Sequence, residues 1–146
     1  MRITWRRYIL DKPADPREIA RVEQIFGVQF PNDYKTCVVE NQGKTPEPRR
    51  FSVDEKGLES IFQCLLHFDP KNTDYNLLDE YTFYFEGDIP EGVIPFADDP
   101  VGNRLCFDFR HSPENPKIVF LDNGAQGEEA LCFVANNFTE LLNSLH

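Results

Sequence analysis

Asp98, Asp99 and Asp108 crowd one short stretch, PFADDPVGNRLCFD at residues 95–108, which also carries a glycine and an asparagine. Three carboxylates around a corner can hold a metal ion, share protons in acid–base chemistry, face a basic partner, or shape a turn between strands. Spacing narrows the choice. Counted from Asp98 as an EF-hand loop, the third and fifth ligand positions are Pro100 and Gly102, and the closing glutamate is Phe109, so that pattern is broken throughout. Asp98 and Asp99 are adjacent, and in extended chain adjacent side chains diverge to opposite faces, which works against a catalytic pair. The run Asp98 to Asn103 has the chemistry of a turn, with Gly102 free to take positive φ and Asn103 able to follow. On that reading Asp98 and Asp99 are exposed charges at a loop tip. Asp108, set among apolar residues, holds the turn by hydrogen bonding.

Other reactive combinations are thinner. Cys64-Leu-Leu-His67 would place a thiol and an imidazole on one face of a helix, yet both lie in the apolar run Ile61 to Phe68, which suits core packing. Gly43-Lys44-Thr45 resembles the tail of a phosphate-binding loop, but Val38 stands where its first glycine belongs and Pro46 where its helix must start. His111 and His146 have no G-x-S-x-G serine to serve. The four cysteines, Cys37, Cys64, Cys106 and Cys132, form no C-x-x-C pair and are expected as buried free thiols. No metal, cofactor or catalytic residue is expected.

The elements that must position these residues follow from caps and periodicity. Asp15-Pro16-Arg-Glu18 carries a cap, a first-turn proline and a capping-box glutamate; Ile19, Val22, Ile25 and Phe26 make one stripe and Gly27 a stop. A second helix opens at Phe30-Pro31-Asn32-Asp33-Tyr34, turns Tyr34, Cys37 and Val38 inward, and ends near Asn41-Gln42-Gly43. Pro46 to Arg50 is expected as a loop and Phe51 to Val53 as a strand, while Ile61 to Phe68 fits helix or strand. Asn72 or Thr73 caps a helix bearing Leu77, Leu78, Tyr81 and Phe85. Strands are expected at Val93–Ala97, Arg104–Phe109, Lys117–Leu121 and Glu129–Ala135, then a helix capped by Asn137 with Phe138, Leu141, Leu142 and Leu145 as its stripe. This is an α+β pattern in one domain, residues 1–146: a central, mostly antiparallel sheet with N-terminal helices and a C-terminal helix packed on it.

Charge separates the two parts of the 146-residue chain. Residues 1–50 hold ten Lys/Arg against seven Asp/Glu, and residues 51–146 hold five against eighteen. The acidic part disfavours nucleic acid and anionic membranes and favours a basic protein. The N-terminus, MRITWRRYIL, carries charge where a signal peptide needs an apolar core, and no apolar run is long enough to span a bilayer, so the cytoplasm is the expected compartment.

The order of motifs is then distinctive. Trp5-Arg-Arg-Tyr-Ile9 precedes a helix containing Glu23; Gly27, Phe30-Pro31-x-x-Tyr34-Lys35 and Asn41-x-Gly43 follow; Ile94-Pro95-Phe-Ala-Asp98 leads to Gly102-Asn103 and Asp108; and Asn137-Phe138 begins the last helix. The series resembles the SUKH superfamily over nearly the whole chain, with Phe30 where the family often has leucine and Gln42 where it often has glycine. The resemblance implies an α+β fold and a non-enzymatic role, that of a bacterial immunity protein that binds and neutralises a cognate toxin, often a nuclease. Regulatory or scaffolding modules akin to the yeast cell-wall-assembly regulator are the alternative. An enzyme or small-ligand binder using Asp98, Asp99, Asp108 and His111 is the third. For a basic toxin, the expected contacts are Asp54, Glu55, Glu86, Asp88, Glu91, Asp98 and Asp99, with Tyr84 or Phe85 as an aromatic anchor.

Overall fold

The computed structural model describes residues 3–84 and 89–146. In chain order, β1 (Thr4–Arg7) leads into α1 (Pro16–Phe26) and α2 (Asn32–Asn41). β2 (Lys44–Glu47) returns antiparallel to β1 with Pro46 opposite Trp5. β3 (Arg50–Val53) and β4 (Leu58–Ile61) form a hairpin around a 3-10 turn at Asp54–Lys56. β5 (Cys64–Leu65) is followed by α3 (Leu77–Tyr84), then β6 (Val93–Asp98), β7 (Arg104–Asp108) and β8 (Lys117–Leu121). A second 3-10 turn, Gly127–Ala130, precedes β9 (Leu131–Ala135), and α4 (Phe138–Ser144) closes the chain. β5 to β9 form a five-stranded sheet in sequential order, each neighbour antiparallel. The fold is α+β, as the sequence predicts.

Local chemistry accounts for most of these boundaries. The Asp15 carboxylate accepts from Arg17 N, Pro16 fills the first turn of α1, and Gly27 ends it in the left-handed region. Asn137 caps α4 through Glu140 N at 2.8 Å. Three expectations change. Pro46 lies within β2, tolerated there because the strand is at an edge of its two-stranded sheet and needs no further donor. The ambiguous run from Ile61 to Phe68 is extended, because its residues pair with β3 and β6. The cap of α3 is Asn76, whose Oδ1 accepts from Leu78 N and Asp79 N, and not Asn72 or Thr73.

The register divides the sheet into two faces. Ile94, Phe96, Leu105, Phe107, Ile118, Phe120 and Cys132 point towards the core that α1, α2 and α4 cover, where Tyr34 packs against Phe96, Phe107 and Phe138. Phe96 stacks on Phe107 with ring centres 4.4 Å apart. The other face carries Val93, Cys106, Val119 and Leu121, with Ala130 and Ile89 laid over them. It also carries Asp98, Arg104 and Asp108, so both faces of β6 and β7 are buried. All four cysteines are free, and Cys37 is only partly buried. No helix among the described residues is long and apolar enough to cross a membrane.

Candidate functional site

The turn between β6 and β7 puts Asp98 and Asp99 at its start and Arg104 at its end. The two aspartates were expected at an exposed tip, but they are 4% and 3% exposed. The reason is tertiary: β4 and β5 fold over the turn and satisfy both carboxylates. Asp99 accepts from Ser60 Oγ at 2.8 Å, Val101 N at 3.1 Å, Asn103 N at 2.7 Å and Asn103 Nδ2 at 2.9 Å. Its oxygens are fully engaged in holding the turn. Asp98 sits opposite Cys64 in the ladder and accepts from Cys64 N at 3.2 Å and Gln63 Nε2 at 2.9 Å. Burial lifts the Asp98 carboxyl to about 6, against the opposing pull of Gln63, Arg104 and Cys64.

Gly102 closes the same turn at φ 94°, and a Cβ there would lie 2.6 Å from Asn123 Nδ2. Asn103 extends the bracket by accepting from Asn123 N at 3.0 Å, tying the β6–β7 turn to the chain after β8. Arg104 donates to the carbonyls of Gly102 and Asn103, and its Nη2 reaches Glu80 Oε2 at 3.1 Å. This ion pair between α3 and β7 is buried on both sides.

Asp108 belongs elsewhere. It pairs with Val93 at the far end of β6, roughly 13 Å along the strand from Arg104 at ~3.3 Å per residue. Arg110 clamps it through Nε and Nη2, both at 2.9 Å, and through its backbone N at 3.1 Å. Burial alone would raise the Asp108 carboxyl, but the Arg110 hydrogen bonds outweigh it and hold it below the ordinary value. The three carboxylates therefore do not converge. Among the described residues, no group of three or more His, Cys, Asp or Glu is arranged to hold a metal ion. The Cys64–His67 pair is also separated by its roles. The Cys64 thiol faces Asp98, where burial and that carboxylate push its pKa up, away from the reactive thiolate. His67 accepts from Asp69 N and donates to the Asp74 carbonyl, and burial lowers its pKa, so it is a neutral structural imidazole.

The brackets line a polar cleft of about 450 Å³. Asp98, Asp99 and Arg104 form its floor, and Gln63, Tyr75, Asp79 and Glu80 its walls. Sequence reasoning did not find Glu80, Asp79 or Tyr75 because they come from α3 and its approach, distant in the chain. Of the remaining expected contacts, Asp54, Glu55 and Glu91 are exposed. Glu86, Asp88 and Phe85 lie outside the described residues, as does the side chain of Tyr84.

The sequence model of the SMI1 / KNR4 family (SUKH-1) matches residues 13–144. The chain belongs to this family. The SPbeta prophage-derived uncharacterized protein YokK of Bacillus subtilis (strain 168) is 28% identical over 144 residues, covering 88% of this chain and 72% of YokK. The uncharacterized protein YnaB of the same organism is 52% identical over 31 residues, 21% of this chain and 22% of YnaB.

The residues that carry the SUKH resemblance are mostly buried joints. Glu23 accepts from Phe30 N at 2.7 Å and Lys35 Nζ at 3.2 Å, bracing the corner between α1 and α2 that Gly27 and Pro31 shape. Asn41 Nδ2 donates to the Cys37 carbonyl. Gly43 takes φ 71° where a Cβ would meet Ile9 and Leu10 at 2.9 Å. Trp5 packs edge-on against Phe62, and Pro95 lies opposite Cys106. Gln42, the departure from the family pattern, has a use of its own: its amide donates to the Lys12 carbonyl and accepts from Phe68 N, joining the N-terminal segment to the chain after β5.

Proposed function

We propose that this chain is an immunity-type protein that binds a cognate protein toxin and blocks it by occlusion, without chemistry of its own. Membership of the SUKH-1 family over residues 13–144 carries the reading, since the family is known for non-catalytic immunity proteins. The prophage origin in the name of YokK supports it, because mobile elements are a setting for toxin and immunity pairs. The side chains that could do chemistry are occupied as structural brackets, which supports a binding role. The acidic balance of residues 51–146 suits a basic partner, such as a nuclease with a cationic substrate cleft, and would speed its capture. The cytoplasm is the compartment in which such a protein guards its own cell, and no cofactor takes part.

Co-expression with the product of the adjacent gene tests the reading. A complex recovered by pull-down and restored growth of cells making the toxin are the expected results. No complex and no rescue with any neighbouring toxin would overturn it. The SUKH resemblance also takes in the yeast cell-wall-assembly regulator, so a gene standing apart from toxin and secretion loci favours a scaffolding role instead.

A further inference from the structure

We propose that the seam between the β3–β4 hairpin and the outer edge of β9 is the surface that receives a basic protein partner, with Phe133 as its aromatic anchor. The proposal rests on the toxin-binding reading and assigns it a place on the molecule.

Burial removes Asp98 and Asp99 from the expected contact acids, which directs attention to Asp54 and Glu55. These open a run, residues 54–59, in which every residue is exposed. The run lies beside β9, the last strand of the large sheet, whose outer edge pairs with no further strand among the described residues. There Glu55 Oε1 accepts from Phe133 N at 3.2 Å. A carboxylate on the outward N–H, together with the irregular register between β8 and β9, blunts this edge against the addition of a strand. The edge is guarded against β-pairing, yet its side chains stay open.

Those side chains have the composition of a protein-binding patch. Phe133 and Leu58 are each 39% exposed, two of the five large apolar side chains so exposed among the described residues. Leu58 sits at the hairpin tip opposite Val53, and Phe133 at the edge that the same tip touches. One exposed phenylalanine is ordinary on a surface. Here Asp54, Glu55 and Glu59 belong to the hairpin and Glu129 to the 3-10 turn that leads into β9, all exposed. Of the neighbouring bases, Lys56 pairs with Asp122 at 3.0 Å and His146 with Glu59 at 2.6 Å, while the exposed Arg49 and Arg50 lie at the open end of the hairpin, away from its tip. Lys117 lies over the Phe133 ring, its Nζ 5.6 Å from the ring centre. The ring already receives a cation on its face, and an arginine or lysine from a partner can replace Lys117 there while its neighbours meet the acids. An aromatic anchor inside a charged rim is the arrangement in which interface energy concentrates.

The test uses the purified toxin identified by co-expression, titrated against the full chain at low and moderate salt. Phe133→Ser is expected to weaken binding by about 30-fold or more, as the loss of a central anchor does. Asp54→Lys combined with Glu129→Lys is expected to weaken it by about tenfold and to flatten its salt dependence. Ile25→Ser, which removes an exposed apolar side chain on α1, should bind as the unaltered chain does. Circular dichroism melting of each variant, expected to match the parent, separates lost binding from lost folding. Parent-like affinity in both seam variants would overturn the surface while leaving the toxin-binding reading intact. Absence of any complex with the unaltered chain would overturn both. A concentration-dependent dimer abolished by Phe133→Ser would overturn the proposal in favour of a second copy at the seam.

Discussion

On the helical side of the large sheet, Phe96 and Phe107 stack on each other and meet Tyr34 edge-on, Phe30 lies tilted against Phe107, Phe138 is edge-on to Phe96 and Tyr34, and Ile118 and Phe120 share the same core. On the other side, the same strands carry Asp98, Arg104 and Asp108 beside Cys106 and Val119. Both sides are buried, but they are held by different physics. The aromatic side gains from apolar area removed from water, a term indifferent to direction. The polar side gains nothing unless every charge finds its partners, and Asp98, Asp99, Arg104 and Asp108 each do. The contrast bears on register. A slip of one residue between β6 and β7 would turn either Asp98 or Arg104 towards the aromatic core, so the polar row adds a penalty for wrong pairings.

The largest effect is expected from emptying the aromatic side. Phe107→Ala removes the ring that contacts Phe30, Tyr34, Phe96 and Phe109, and should cost about 4 kcal/mol in urea unfolding. Cys106→Ala, its neighbour on the opposite face, removes one sulfur and should cost about 1 kcal/mol, on the scale of a single buried group. Equal losses from the two would break the proposed difference between the faces.

The polar side is sharpened by removing one charge and then both. Arg104→Met strands Glu80 without its buried partner and should cost about 3 kcal/mol. Adding Glu80→Leu to it should recover most of that loss, because two apolar side chains of similar volume replace two desolvated charges. A double variant no more stable than Arg104→Met alone would mean that the carbonyl contacts of Arg104 at the turn, and not the ion pair, are what matters there.

A smaller effect comes from pH. The folded Asp98 carboxyl is raised to about 6 from 3.8, so between those values the native chain binds more protons than the unfolded one. Stability from this group is therefore highest below pH 4, falls as pH rises from 4 to 6, and stays reduced above 6, a change on the order of 3 kcal/mol. Asp108 and Asp122, held below the ordinary range, act with the opposite sign and lose their contribution as pH falls below 4. The measurement is the difference between parent and Asp98→Asn across pH 4 to 7. The parent should show the downward slope and the variant should lack it. Parallel profiles would show that Asp98 ionises at its ordinary value.

These pairs also explain what could be read from the sequence. The helices of Asp15 to Gly27 and Asn137 to Leu145, and the strands within residues 93–135, announce themselves through caps, turns and alternation, all signals carried by neighbours in the chain. The face assignments of Leu105 and Phe107 against Cys106 and Asp108 follow from strand period alone. The exposure of Asp98 and Asp99 could not be read that way. It is set by Ser60 and Gln63, 39 and 35 residues away, which fold over the turn. The Glu80–Arg104 pair spans 24 residues, and the strand at Pro46 depends on β1 at the other end of the N-terminal helices. The family resemblance was legible because its residues are joints such as Glu23, Gly43 and Asn103. The same fact gives those residues a structural use in the fold.

Tyr34 gives the smallest effect and the finest test of the aromatic side. Its ring is fully buried among Phe30, Phe96, Phe107 and Phe138, yet among the described residues nothing hydrogen-bonds its hydroxyl. Burial drives the phenol far above its usual pKa, so it stays protonated and carries no charge at any ordinary pH. A buried hydroxyl without a partner costs about 1–3 kcal/mol of desolvation, while the ring around it supplies the packing. Tyr34→Phe keeps the ring and removes the desolvated group, so it should leave stability unchanged or raise it by about 1 kcal/mol. If urea unfolding shows a loss of that size instead, the hydroxyl is bonded, and this face contains a polar joint of the kind found on the other side.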